Sequence, residues 1–242
     1  MTSFIWKRDP EEAYTNPYEY EGQKQFVREA SSLLNKYHDY ISANTKRFQR
    51  DDTSKEKAIW MLHVDALDAL RDCLDLINDK KHRLACRLFR DSIETLDLAA
   101  YFNSDTEQSN NSLKRWYDNK IIPHRKYRDF IRKTKGEIAA DELKNNYKNF
   151  STFTHRSYRA LAKSYVLGSG NCLAYDGHTG SDLLVLPHTI AAYYAILANL
   201  IRLFSNEAVM RETIPEGINK KCWNESMEGE TVPRRFVPHP PF

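Results

Sequence analysis

The chain has 242 residues, of which 41% are hydrophobic and 29% charged, enough for one well-filled core and too few to demand two. Lys and Arg number 36 against 33 Asp and Glu, so a formal net charge of +3 announces neither nucleic acid nor a membrane surface. Cys73, Cys86, Cys172 and Cys222 have no C-x-x-C spacing and read as reduced thiols of a cytosolic protein, neither a disulfide framework nor a zinc site.

Residues 1–22 hold no apolar run of signal-peptide length and read as an aromatic arm, with Phe4, Trp6, Tyr14 and Tyr18 laid on the body or on a second copy. From Gln23 to about Phe48, Phe26, Ala30, Leu33, Leu34, Tyr37 and Ile41 recur at helical spacing. Asp51 to Ser54 break that helix, and a second runs from about Ser54 to Asn78 with Ile59, Leu62, Ala66, Leu70 and Ile77 inward. Its Asp65, Asp68, Asp72, Asp75 and Asp79 form an acidic stripe without the His or Glu of a ligand set, and read as a solvated face.

The stretch Arg83–Phe102 is the centre of the chain. At about 100° per residue, Arg83, Arg87, Arg90, Glu94, Asp97 and Tyr101 share one narrow arc, while apolar side chains fill most of the remaining circumference. A helix apolar on so many sides is packed on several, and its polar stripe then faces either a strip of solvent or an internal cleft. Arg90 and Glu94 stand at i, i+4 and can pair.

After it, NSDTEQSNNS reads as a polar loop between helices. Lys114–Lys135 then holds nine Lys and Arg against two Asp, a local net charge of +7, with Trp116, Tyr117, Tyr127 and Phe130 interleaved. Cations with exposed ring faces suit RNA, phosphate meeting Lys114, Arg115, Arg125, Lys126, Arg128 and Arg132 while Trp116 stacks on a base. An amphipathic helix with a basic outer side accounts for the same residues equally well.

Gly136 separates this stretch from a helix in which Tyr147, Phe150, Ser151, Thr154, His155, Tyr158 and Tyr165 recur on the inner face. An imidazole there needs a hydrogen-bond partner, and the Glu94 carboxylate is one candidate. A histidine satisfied by a backbone carbonyl is the alternative. LGSGNCLAYDGHTGSD holds four of the eight glycines and reads as a long loop or small hairpin. Leu183–Phe204 is the most apolar stretch, yet Pro187, His188, Asn199 and Arg202 make it a buried last helix opening near Pro187 and not a membrane span. From Thr213 to Phe242 five of the nine prolines suggest an irregular tail.

The pair R-D-S-I-E at Arg90–Glu94 and Y-K-N-F-S-T-F-T-H at Tyr147–His155 resembles a branch of the HEPN superfamily of small helical proteins, marked by R-x3-E and then Y-x2-(Leu/Phe)-S-x3-H. The resemblance covers roughly the middle half of the chain. It implies a place in bacterial defence, including abortive infection and toxin–antitoxin systems, a homodimer, and relatives that are metal-independent ribonucleases. Those relatives carry R-x4-6-H within one helix. Here the only R-x4-H, Arg234 to His239, has Pro233 just before it and Pro238 within it, which forbid a regular helix through the motif.

The chain is therefore expected to be one all-α domain of six or seven helices, an up-and-down bundle. Two functions stay open. In one, Arg90, Glu94, His155, Ser151 and Tyr147 form a catalytic set on RNA needing no cofactor or metal, with His155 as acid or base and Arg90 on phosphate. In the other they form a buried network in a non-catalytic module that binds RNA or a protein partner such as an antitoxin.

Overall fold

The computed structural model describes residues 19–79, 81–154, 165–167, 173–175 and 187–227. Seven helices occupy the described residues, namely α1 (Glu19–Ala43), α2 (Lys55–Asn78), α3 (His82–Asn103), α4 (Glu107–Tyr117), α5 (His124–Thr154), α6 (Pro187–Met210) and α7 (Glu216–Ser226). Between α5 and α6, strands β1 (Tyr165–Leu167) and β2 (Leu173–Tyr175) pair antiparallel, Tyr165 opposite Tyr175. The protein is an all-α bundle with one small hairpin, and no helix among the described residues is long and apolar enough to cross a membrane.

Helix α3 packs on α2, α4, α5 and α6, as its broad apolar surface requires. Its first half contributes Phe89, Ile93 and Leu96 to a large core shared with α1, α2, α6 and α7. Its second half contributes Leu98, Ala99 and Phe102 to a smaller core completed by Ala58, Leu113, Ile122 and Tyr127. Cys73, Cys86 and Cys222 are buried thiols, and the Asp stripe of α2 is exposed along its length.

Three local devices set the helix ends. Ser54 caps α2 by accepting from the Lys57 amide at 3.2 Å. The Lys57 ammonium donates to the carbonyls of Gln49, Arg50 and Asp52 at 2.8–3.0 Å, folding residues 49–52 back over the start of α2. Helix α1 ends at Ala43, short of Phe48, where Asn44 Nδ2 donates to the Tyr40 carbonyl and Thr45 Oγ1 to the Ser42 carbonyl, each at 2.8 Å. In the polar run expected to be loop, Thr106 caps α4 and exchanges hydrogen bonds with Ser109 in a reciprocal capping box.

The expected irregular tail also needs correction, because α7 forms within it and α6 is not the last helix. A relay docks α7: Trp223 Nε1 donates to Ser205 Oγ at 3.2 Å, Ser205 donates to Tyr37 Oη at 2.7 Å, and Tyr37 donates to Asn219 Oδ1. Burial pushes the Tyr37 phenol well above its ordinary pKa, which keeps the donating proton in place.

Gly136 breaks α5 into two segments with φ 89° and ψ 175°, a conformation that suits glycine alone. A Cβ there would meet nothing within 4 Å, so only backbone strain opposes a side chain. Gly136→Ala is expected to lower stability by about 1–3 kcal/mol in chemical denaturation. An equally stable variant would place no demand on glycine at this kink.

Candidate functional site

The polar stripe of α3 faces the start of α5. Arg90 Nε donates to Glu94 Oε1 at 2.6 Å, so the i, i+4 pair forms as the spacing predicts. The same carboxylate oxygen lies 3.4 Å from Nε2 of His124, the first residue of α5. Pro123 precedes His124, and Tyr127 one turn later anchors this end by donating to the Ile122 carbonyl at 2.9 Å. Burial, and then the Glu94 and Asp97 carboxylates, push the Tyr127 phenol well above its ordinary pKa, so it stays a donor. Its ring meets the His124 imidazole edge-on at 5.7 Å, which fixes the plane of the imidazole.

One carboxylate thus holds a guanidinium and an imidazole together. The side chains of Arg90 and Glu94 are 27% and 21% exposed and that of His124 is 41% exposed. The group is sheltered enough to strengthen its charge interactions and open enough to meet a ligand from solution. An imidazole oriented by a carboxylate can move a proton, and a neighbouring guanidinium can neutralise an oxyanion.

Among the residues nominated from sequence, Arg90 and Glu94 meet. Tyr147 and Ser151 lie on α5 beyond the Gly136 kink, and His155 lies outside the described residues. His124 is the histidine that sequence reading missed. It stands thirty residues from Glu94 in a segment read only as a basic run, and helical periodicity within one element cannot join the two.

The basic run is divided between α4 and α5. Lys114, Arg115, Arg125 and Arg132 are exposed, whereas Lys126 and Arg128 are half-buried. Lys126 Nζ donates to Ser112 Oγ at 3.2 Å, and Ser112 lies 3.2 Å from the buried Tyr101 hydroxyl. Arg132 is held by Asp129 at 3.0 Å and by Glu137 at 2.9 Å, and Arg125 approaches Asp129 at 3.6 Å. The expectation of outward ring faces is corrected. Trp116 packs edge-on to Phe102 and Tyr117, Tyr117 donates to the Ser54 carbonyl, and Tyr127 and Phe130 flank Tyr101. The second core needed large rings, and the interleaved aromatics supply them.

A buried polar pair sits where α2 meets the chain just after α6. His63 is wholly buried, with Nδ1 2.7 Å from Thr213 Oγ1 and its ring edge-on to Phe204. Burial first, then the positive charges of Arg211 and Lys46, hold its pKa down at about 4. The unfolded chain then takes up a proton near pH 6.5 that the folded chain refuses until about pH 4. Stability is therefore complete above that upper value and is expected to fall by about 3 kcal/mol as pH drops through the window. Urea denaturation from pH 7 to pH 4 measures it, and His63→Asn should flatten the His63-dependent part of the slope.

A scan against protein-family models, a search of curated proteins and a search of solved structures each found no match to this chain.

Proposed function

We propose that the chain is a HEPN-like effector of bacterial defence that cleaves RNA without a metal, using Arg90, Glu94 and His124 together with His155. The observation that carries the reading is the single Glu94 carboxylate oxygen holding Arg90 at 2.6 Å and His124 at 3.4 Å beside a basic surface. In the reaction, His124 takes the proton of a ribose 2′-hydroxyl on Nε2, the ring nitrogen that faces Glu94, since Nδ1 is buried, as that oxygen bonds to phosphorus. Arg90 offsets the charge on the phosphorus oxygens, and Glu94 stabilises the imidazolium that forms. The P–O5′ bond breaks, and the leaving oxygen takes a proton from His155. The products are a 2′,3′-cyclic phosphate end and a 5′-hydroxyl end.

Exposed Lys114, Arg115, Arg125 and Arg132 would guide the RNA backbone, and a homodimer would bring two such sites together. Incubating the full chain with single-stranded RNA in excess EDTA tests the reading. Cleavage with those two end groups is the expected result, and RNA left intact at low ionic strength would sink it.

The second reading is a non-catalytic module that binds RNA or a protein partner. Its protein-binding form is favoured by one observation: Tyr127 is buried and Trp116 and Tyr117 pack partly buried against the smaller core, which leaves little stacking platform for single-stranded RNA. Under it, His124 substitutions change stability and leave no reaction to lose.

A further inference from the structure

We infer that the end of the bundle where α2 begins and α3 ends holds a binding site for a small ligand bearing an oxyanion, either a carboxylate or a phosphate. A pocket of about 280 Å³ opens there between the end of α1, the start of α2 and the α6–α7 junction, a volume that suits a small molecule. Lys46, Glu56, Trp60, Arg211, Glu212 and Thr213 line it. Its wall is built from polar groups that are not on the surface by accident. Thr213 is buried and hydrogen-bonded to the wholly buried His63. Arg211, whose side chain is 19% exposed, pairs through Nη2 with the buried Glu207 at 3.2 Å.

Arg211 Nε in this wall and His63 Nε2 behind Thr213 are both buried and have no hydrogen-bond partner among the described residues. A buried N–H without an acceptor is rarer than a buried acceptor without a donor, which assigns the His63 hydrogen to Nδ1. His63 then donates to Thr213 Oγ1, and the hydroxyl proton of Thr213 is left to donate elsewhere. The inner wall therefore offers two donors, the Thr213 hydroxyl and the Arg211 Nε–H, and an oxyanion is the group that accepts from both. Lys46 adds a cation, 5.2 Å from the centre of the buried Trp60 ring.

The backbone is adapted to this wall as well. Glu212 adopts φ 55°, and this left-handed residue lets the Thr213 amide reach back to the Ala208 carbonyl at 2.8 Å, which closes α6 and turns Thr213 toward His63. A non-glycine residue in that region costs about 1 kcal/mol or more. The exposed Glu56 and Glu212 also line the pocket and balance its two cations, so it is not a general trap for anions. Selectivity rests on the two buried donors, the Thr213 hydroxyl and the Arg211 Nε–H.

The experiment is a two-dimensional NMR titration of the full chain with inorganic phosphate and, separately, with benzoate. Saturable shifts of the Thr213 amide and the Trp60 indole are expected with at least one probe. Benzoate alone would indicate a carboxylate on a planar body, and phosphate alone a phosphate-bearing ligand; either supports the site. Lys46→Met, at an exposed position that leaves the fold intact, is expected to weaken binding about tenfold, the worth of one charge-assisted contact. Arg211→Gln should abolish it. The absence of saturable shifts with both probes, or equal affinity in Lys46→Met and the parent, overturns the proposal.

Discussion

His124→Gln is expected to lower the RNA-cleavage rate by about 10²–10⁴-fold, the usual contribution of a positioned acid–base group. The imidazole is the side chain of this group whose ring nitrogens can both accept and donate a proton. Glutamine keeps a donor for the Glu94 carboxylate and roughly the same bulk beside Tyr127, so the loss is one of proton transfer. The fold should tolerate it, because the side chain is 41% exposed and its ring lies at the rim of the smaller core. Cleavage assays beside thermal unfolding separate the two effects. An unchanged rate would remove His124 from the chemistry, and a large loss of stability would favour the structural network.

Phe204→Ala is expected to destabilise the protein by about 3–5 kcal/mol in urea or guanidinium unfolding. Phe204 on α6 is wholly buried, with its ring 5.8 Å from that of Tyr37 on α1 and 6.2 Å from that of His63 on α2. Removing it opens a cavity between three helices and takes support from two polar arrangements at once, the Tyr37–Ser205 relay that docks α7 and the His63–Thr213 hydrogen bond. A loss near 1 kcal/mol would mean that the core collapses into the gap and that those helices are less tightly interlocked.

The helices legible in the sequence are those with a strong period. Helices α2 and α3 fall within a residue or so of their expected limits, and α6 opens at Pro187, because Leu, Ile and Phe at i, i+3, i+4 leave no other way to bury them. The Gly136 kink was legible for the opposite reason, since glycine alone tolerates that backbone. Helix α4 was hidden by its polarity. NSDTEQSNNS looks like loop until Thr106 and Ser109 are read as a reciprocal cap, and only then does Leu113 become a buried anchor. Helix α7 was hidden by proline counting, although Pro215 followed by Glu216 is itself a start signal.

The site was half legible. Arg90 and Glu94 are neighbours on one helix, so spacing alone pairs them. Their meeting with His124 depends on how α3 and α5 pack, which no local pattern records. The interleaved rings mislead in the same way: Trp116, Tyr117 and Tyr127 alternate with cations in the chain, but packing of α4 and α5 on Phe102 and Tyr101 decides which way they face.

The central claim is that Glu94 and His124 act as one unit on RNA, and a double-mutant cycle of Glu94→Gln and His124→Gln on the cleavage rate tests it most directly. Groups that act together lose most of their effect when the first is removed, so Glu94→Gln should slow the parent strongly and the His124→Gln variant little. Losses that simply multiply in the double variant would contradict the shared site.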